Sequence, residues 1–252
     1  MDRIQAGRAE IHFHILPGVD DGPATMEESL ELARLAVRDG TRTVVATPHV
    51  RGDFFTDVHE LPHRVRELNA RLRLEGIPLV VLQGAELGPD MVGALDAAAL
   101  ECVASGPPGA RWILLEPPFT SLAGALDAAA ELRARGYTIV LAHPERSAGV
   151  LTSGCRLLRE ELAAGTLAQI SVSSLLGHHG SEVQVAACHL IEMRLAHFLS
   201  SDAHSPQRPP ALGIGMDELL AHGRTFAEAR RLVETGPRDL VASGVPQFAV
   251  AA

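Results

Sequence analysis

Residues 10–22 read E-I-H-F-H-I-L-P-G-V-D-D-G. His12 and His14 stand two apart, and along an extended strand that spacing turns both imidazoles to one face. The strand runs into Pro17-Gly18 and a turn holding Asp20, Asp21 and Gly22, so carboxylate oxygens can fold back beside the nitrogen pair. Two histidines alternating out of a strand are weak evidence by themselves. The stretch gains weight because apolar runs further along the chain also end in His, Glu or Asp.

Six more strand-like runs follow. Residues 43–47 close at Pro48-His49, residues 79–82 lead through Gln83-Gly84-Ala85 to Glu86, and residues 112–115 end at Glu116 before Pro117-Pro118. Residues 137–142 deliver His143, residues 167–172 form a sixth strand, and residues 197–201 reach Asp202-Ala203-His204. Helical spacing fills the intervals. It starts at Thr25-Met26-Glu27-Glu28, an S/T-x-x-E signature, and recurs over 60–75, 91–105, 122–135, 155–164, 181–195 and near 215–222 and 225–235. Residues 243–252 read as a loose tail.

Seven strands alternating with helices predict a parallel α/β fold with the sheet covered on both faces. A doubly wound sheet and a closed barrel both fit that alternation. The polar residues favour the barrel, because six strands carry His, Glu or Asp at or just past their C-terminal ends, where a barrel makes them converge. An open sheet would spread them along an edge. No linker marks a second domain, so residues 1–252 read as a single domain.

Composition narrows the partners. A net charge of -9 argues against a broad nucleic-acid-binding surface, although a local basic pocket stays compatible with it. Cys102, Cys155 and Cys188 have no C-x-x-C spacing and read as reduced thiols of a cytoplasmic protein. The N-terminus has no apolar core, and no run reaches membrane-spanning length.

The strand-end positions give His12, His14, Asp21, His49, Glu86, Glu116, His143, Asp202 and His204. Imidazoles and carboxylates without thiolate suit manganese, iron or zinc better than copper(I) or an iron–sulfur cluster. At about four to six contacts per ion with one carboxylate bridging, nine ligands imply two or three divalent metals. Three dications against four carboxylates leave about two positive charges, which a phosphate dianion would neutralise. Arg146 and Arg208 follow His143 and His204 closely enough to grip phosphate oxygens in forked hydrogen bonds. A water activated by the metals would then attack phosphorus in line, with no covalent phosphoenzyme.

These residues resemble the polymerase and histidinol phosphatase (PHP) superfamily, in its branch of CpsB/YwqE-type bacterial manganese-dependent protein-tyrosine phosphatases. The segment from His12 to Gly22 looks like that group's H-x-H-I-L-P-G-x-D-D-G. A-T-P-H at 46–49, G-A-E at 84–86, A-H-P-E-R at 142–146, S-S-L-L-G at 173–177 and S-D-A-H at 201–204 follow in family order. The resemblance implies a distorted seven-stranded (β/α) barrel with a trinuclear site. It also implies, as substrate, phosphotyrosine on a bacterial tyrosine kinase of capsule or exopolysaccharide synthesis. By similarity His12, His14, Glu86 and Asp202 hold one ion, and Glu86 bridges to a second held by Glu116 and His143. Asp21, His49 and His204 hold the third, while Arg146 and Arg208 contact phosphate. Glu10 departs from the family's usual Asp, and Val50 and Ser171 stand where relatives often carry larger polar residues.

Other features compete. Cys188 to Arg194 spells C-x-x-x-x-x-R, the spacing of cysteine-dependent tyrosine phosphatases, but no intervening glycine lets the backbone wrap a phosphate, and Val183, Ala187, Leu190 and Ile191 keep helical spacing. A buried helical cysteine is the expectation. His178-His179 follows the sixth strand and could reach the site rim, but a solvated loop is the expectation, and His59 and His63 read as exposed helix positions. Asp53-Phe54-Phe55 and Pro117-Pro118-Phe119 could flank an aromatic leaving group. Two rival functions remain: a small-molecule phosphatase of the histidinol phosphate type, and a non-catalytic barrel kept as a regulatory module.

Overall fold

The computed structural model describes residues 7–54 and 57–244. The chain alternates strands and helices: β1 (Arg8–Phe13), α1 (Met26–Arg38), β2 (Thr41–Ala46), β3 (His49–Val50), α2 (Leu61–Leu74), β4 (Val80–Leu82), β5 (Glu86–Leu87) and α3 (Ala97–Val103). There follow β6 (Trp112–Leu115), α4 (Leu126–Ala134), β7 (Thr138–Ala142), α5 (Thr152–Ala163), β8 (Leu167–Ser171), α6 (Val172–Leu175) and α7 (Ser181–Glu192). The sequence of elements ends with β9 (Phe198–Ser200), α8 (Leu212–Ala221), α9 (Phe226–Arg230) and α10 (Gly236–Ser243).

Every strand pair is parallel, in two sheets ordered β1-β2-β4 and β3-β5-β6-β7-β8-β9. All seven expected runs are present, but two of them are broken, which gives nine strands instead of seven. Thr47-Pro48 divides the second run. Thr47 stays with β1, its N–H donating to the Phe13 carbonyl at 3.0 Å and its hydroxyl accepting from the Phe13 N–H at 2.8 Å. Pro48, with no N–H to give a ladder, accepts at its carbonyl from the Glu86 N–H at 3.0 Å and so passes the chain to the second sheet. Gln83-Gly84-Ala85 divides the third run, where a Cβ on Gly84 would stand 2.6 Å from Val45 Cγ1. Only glycine permits that approach. The sheets meet again past β9, where Phe13 bridges Ala203 and the His14 N–H donates to the Ala203 carbonyl at 2.9 Å.

Trp112, Ile113, Leu114 and Leu115 are all buried, as expected of a strand covered on both faces. The helices form where the periodicity placed them, with local corrections. At α1 the Thr25 hydroxyl accepts from the Glu28 N–H, and the Glu28 carboxylate reaches the Ala24 N–H at 2.7 Å. A cap of this type contributes about 1 kcal/mol. The expected 91–105 helix shrinks to α3, because Asp96 caps it late by accepting from the Ala99 N–H at 2.8 Å. Two helices were not anticipated: the single turn α6, which takes Val172 from the expected sixth strand, and α10. α10 follows a π-helical turn at Arg231–Thr235 and buries Leu240 and Val241 in a cluster with Ile11, Trp112, Val140 and Phe198. Of the residues expected to form a loose tail, 245–252 lie outside the described residues, as does Phe55.

Candidate metal centre

The carboxyl ends of the strands converge on a cavity of about 480 Å3, lined by Asp21, His49, Glu86, Glu116, His143, Asp202 and His204 among others. His12 and His14, fully buried on and just past β1, complete the group with Nε2 atoms 3.3 Å apart. Glu86 sits between four imidazoles. Its Oε2 lies 3.3 Å from His12 Nε2, 3.4 Å from His14 Nε2 and 2.9 Å from His49 Nδ1, while Oε1 is 2.9 Å from His143 Nε2. Asp202 Oδ1 is 3.2 Å from His12 Nε2 and 3.5 Å from His14 Nε2. Asp21 Oδ1 is 3.3 Å from His204 Nε2 and 3.6 Å from His49 Nε2, and Glu116 Oε2 is 3.6 Å from His49 Nδ1.

All nine expected side chains therefore meet. Their ligand atoms form four overlapping groups, each within 4.8 Å: His14, Asp21, His49 and His204; His12, His143 and Asp202; His12, His14 and Glu86; His49, Glu86 and Glu116. The sharing differs from the expected sets. His143 groups with His12 and Asp202, His49 groups with both glutamates because the two oxygens of Glu86 face different imidazoles, and His14 also groups with Asp21, His49 and His204.

The backbone is strained where it presents two of these residues. His143 has φ of 30° and Asp202 of 54°, left-handed values that cost about 1–3 kcal/mol each outside glycine. Both sit just past a strand end, where the strain aims the side chain into the cavity. Burial opposes ionisation of Asp202, yet His12 and Arg146 hold its carboxyl well below the usual carboxylate range. Burial is likewise outweighed at Glu86, by His12 and its neighbours, whereas burial and the Glu86 charge push Glu116 up. Burial and Arg146 drive His143 down to about 4.

Glu86 Oε2, His143 Nδ1 and His204 Nε2 are buried without a hydrogen-bond partner among the described residues. Buried polar atoms normally have one. Imidazole nitrogens and carboxylate oxygens facing one another in this way fit a divalent cation of the manganese, iron or zinc kind.

Four residues outside the expected ligand set support it, and the sequence pointed to no such role for Gln169 or Arg51. Asp20, not Asp21, is the buried member of the pair: its carboxylate takes His14 Nδ1 at 2.6 Å and the His49 N–H at 3.0 Å. Gln169 Oε1 lies 2.9 Å from His12 Nδ1. Arg51 donates to Glu116 Oε2 at 2.7 Å and forks onto Asp53. Glu10 turns its buried carboxylate to the Ser201 N–H and hydroxyl, the latter at 2.7 Å, and so anchors the segment that carries Asp202. The extra methylene relative to Asp is absorbed in that reach. Val50 and Ser171 are both buried.

Arg146 Nη2 and Arg208 Nη2 converge on Asp202 Oδ2 at 2.7 and 3.2 Å and line the cavity. Phe54 stacks on His49 at 5.1 Å, and the half-exposed Phe119 lies 6.0 Å from His143. His179, exposed as expected of its loop, also lines the cavity. His59 and His63 are exposed as expected. Cys188 is half-buried, not buried, because it faces the edge of α8: its Sγ lies 3.4 Å from His222 Nε2, away from the cavity.

The sequence profile of a family described as capsular polysaccharide synthesis, CpsB/CapC, matches residues 8–236. The chain belongs to the CpsB/CapC family. The resemblance to the CpsB/YwqE branch of the PHP superfamily is thereby borne out. Among relatives, tyrosine-protein phosphatase YwqE of Bacillus subtilis is 37% identical over 201 residues, 78% of this chain and 77% of that protein. Tyrosine-protein phosphatase CpsB of Streptococcus pneumoniae is 28% identical over 242 residues, 92% of this chain and 97% of that one. A crystal structure from work on YwqE and CpsB, described as unique metal-dependent tyrosine phosphatases, matches with a TM-score of 0.80 at 31% identity, covering 95% of this chain and 97% of that chain. A phosphotriesterase homology protein from Escherichia coli shares the fold alone, with a TM-score of 0.61 at 14% identity, over 92% of this chain and 97% of that chain.

Proposed function

We propose that this CpsB/CapC-family chain is a metal-dependent protein-tyrosine phosphatase acting on a phosphorylated bacterial tyrosine kinase of capsule or exopolysaccharide synthesis. The observation that carries this is the convergence, in one cavity, of nine metal-competent side chains with two arginines aimed at a single point. His12, His14, Asp21, His49, Glu86, Glu116, His143, Asp202 and His204 would hold two to three divalent cations, manganese first, with iron or zinc as alternatives. The likeness to metal-dependent tyrosine phosphatases over nearly the whole chain supports the same assignment. We read the two sheets as one distorted seven-stranded barrel, joined through Pro48 and Ala203, in a single domain.

Bound cations would supply a water nucleophile at neutral pH and neutralise the charge of the phosphoester. The protein's own groups orient the rest. Arg146 and Arg208 give planar forks that match the non-bridging oxygens of phosphate. Phe119 lines the cavity beside His143 and offers an apolar face to an aromatic leaving group, while Phe54 stacks on His49. Asp20 and Gln169 fix the rings of His14 and His12, so each presents Nε2 inward. No helix among the described residues is long and apolar enough to cross a membrane, and we place the enzyme in the cytoplasm, where the kinase substrate would carry its phosphotyrosines.

The test is a substrate panel on metal-stripped protein with manganese, iron and zinc restored singly. Turnover of phosphotyrosine peptides with manganese is the expected result. Turnover of histidinol phosphate alone would assign a small-molecule phosphatase, and silence on both with every metal would assign a non-catalytic module.

A further inference from the structure

His178 and His179 occupy a loop between α6 and α7 bounded by Gly177 and Gly180, both at positive φ. The loop is pinned in place. The His178 N–H donates to the Ser173 carbonyl at 3.0 Å, the Gly180 N–H to the Gly177 carbonyl at 3.1 Å, and a Cβ on Gly177 would meet Gln184 at 3.0 Å. His179 is thereby held on the wall of the cavity that contains Arg146, Asp202 and Arg208.

Its Nε2 lies 2.9 Å from Ser173 Oγ, which lies 3.4 Å from Arg146 Nη2. A guanidinium only donates, so Ser173 accepts from Arg146 and is free to give its own proton to His179 Nε2. The ring proton then resides on Nδ1, which has no partner among the described residues. The other histidines of the cavity are occupied in the ligand group, and arginine does not give up a proton. Yet tyrosine is a poor leaving group, with a pKa of about 10. The reaction calls for an acid at the cavity wall.

We propose that His179 is a catalytic residue that protonates the departing phenolic oxygen. The assignment rests on the phosphatase reading above. As the oxygen of water bonds to phosphorus, the bond from phosphorus to the aryl oxygen breaks and its electron pair leaves with that oxygen, which takes the proton of the His179 imidazolium. The surplus proton of the water passes to solvent, and the ring regains one from solvent before the next turnover. Without substrate, burial, Arg146, Arg208 and His178 keep the ring neutral, down to about 4, with Asp202 the one opposing charge. A phosphate dianion between the two arginines reverses the field at the ring, so substrate brings the proton with it.

The experiment compares wild type, His179→Gln and Ser173→Ala, with manganese restored, on a phosphotyrosine peptide, phenyl phosphate and p-nitrophenyl phosphate. Loss of a general acid predicts that His179→Gln lowers kcat about 100-fold on the first two and less than about threefold on p-nitrophenyl phosphate, whose leaving group needs little help. The fall of kcat at alkaline pH, where the imidazolium is lost, should vanish with it. Ser173→Ala should show a smaller loss with the same selectivity. Matching thermal midpoints and manganese stoichiometry establish that the variants fold. Equal losses on all three substrates, or none on any, would overturn the proposal. If wild type ignores the peptide but cleaves both aryl phosphates, the phosphotyrosine reading falls while the phenyl and nitrophenyl pair still decides the role of His179.

Discussion

The Asp20 carboxylate accepts a 2.6 Å hydrogen bond from Nδ1 of His14, and this leaves Nε2 as the only ring nitrogen that His14 can offer the cavity. A carboxylate can only accept here, so the tautomer is fixed by chemistry. Partners of this kind orient metal-ligating histidines, and their loss costs about 10–100-fold in metal affinity. Asp20→Ala should weaken manganese binding by that factor while the far-ultraviolet circular dichroism stays unchanged. Isothermal titration would read it, and an unaltered affinity would mean that His14 is not a ligand.

Proton release should accompany metal binding. Burial opposes charge on His14, but Asp20 and then Glu86 outweigh it and push the ring up to about 10. Below that value the metal-free ring is protonated, and a ligand nitrogen must lose its proton. Apparent affinity should therefore rise about tenfold per pH unit between pH 6 and 8 for each proton displaced. Calorimetry in buffers of different ionisation enthalpy counts those protons directly.

Saturating metal should raise thermal stability. At a concentration about 100 times the dissociation constant the gain is about 2.7 kcal/mol, provided the unfolded chain does not bind. Glu86→Gln, which alters the carboxylate shared by four imidazoles, should abolish most of that gain and the turnover with it. A variant with a full thermal shift would show that the cations sit elsewhere.

Acid should destabilise the chain through His197, away from the cavity. Burial and then Arg231 lower this ring to about 4, and its Nδ1 accepts from the Ala168 N–H. A histidine depressed in the folded state contributes stability above its unfolded value near 6.5, and that stability is lost as pH falls from 6.5 towards 4. The loss should approach about 3 kcal/mol, and His197→Gln should flatten this part of the profile in denaturant titrations.

Cys188→Ser should leave kcat/KM within about twofold, since surface-side changes away from a site rarely exceed ±0.5 kcal/mol. The thiol faces His222, and burial pushes it up, opposite to an activated nucleophile. Complete inactivation would reassign the chemistry.

The candidate site was legible because the side chains expected to form it are residue types with few structural uses at strand ends, and all nine meet in the structure. Their supporters were not. Asp20 and Asp21 are adjacent acids in one turn, and only the folded chain distinguishes a carboxylate 1% exposed from one 44% exposed. Gln169 meets His12 across 157 residues, a distance no local pattern spans. The strand breaks at Pro48 and Gly84 were visible as residues, but the transfer between sheets depends on where Phe13 and Glu86 arrive. α10 was missed because Gly236-Pro237 looks like an interruption, whereas proline is tolerated in a helix's first turn, where it stands.

That last helix has a practical corollary. The family match stops at residue 236, so a shortened chain designed on homology would end just where α10 begins. It would discard Leu240 and Val241, which stopper the end of the sheet against Trp112 and Phe198. Removing buried aliphatic side chains of this size costs about 2–5 kcal/mol apiece, a large share of the roughly 5–15 kcal/mol that holds a typical domain together. The boundary drawn by kinship and the boundary drawn by packing are different lines, and a truncation at the first would leave the molecule open at its base.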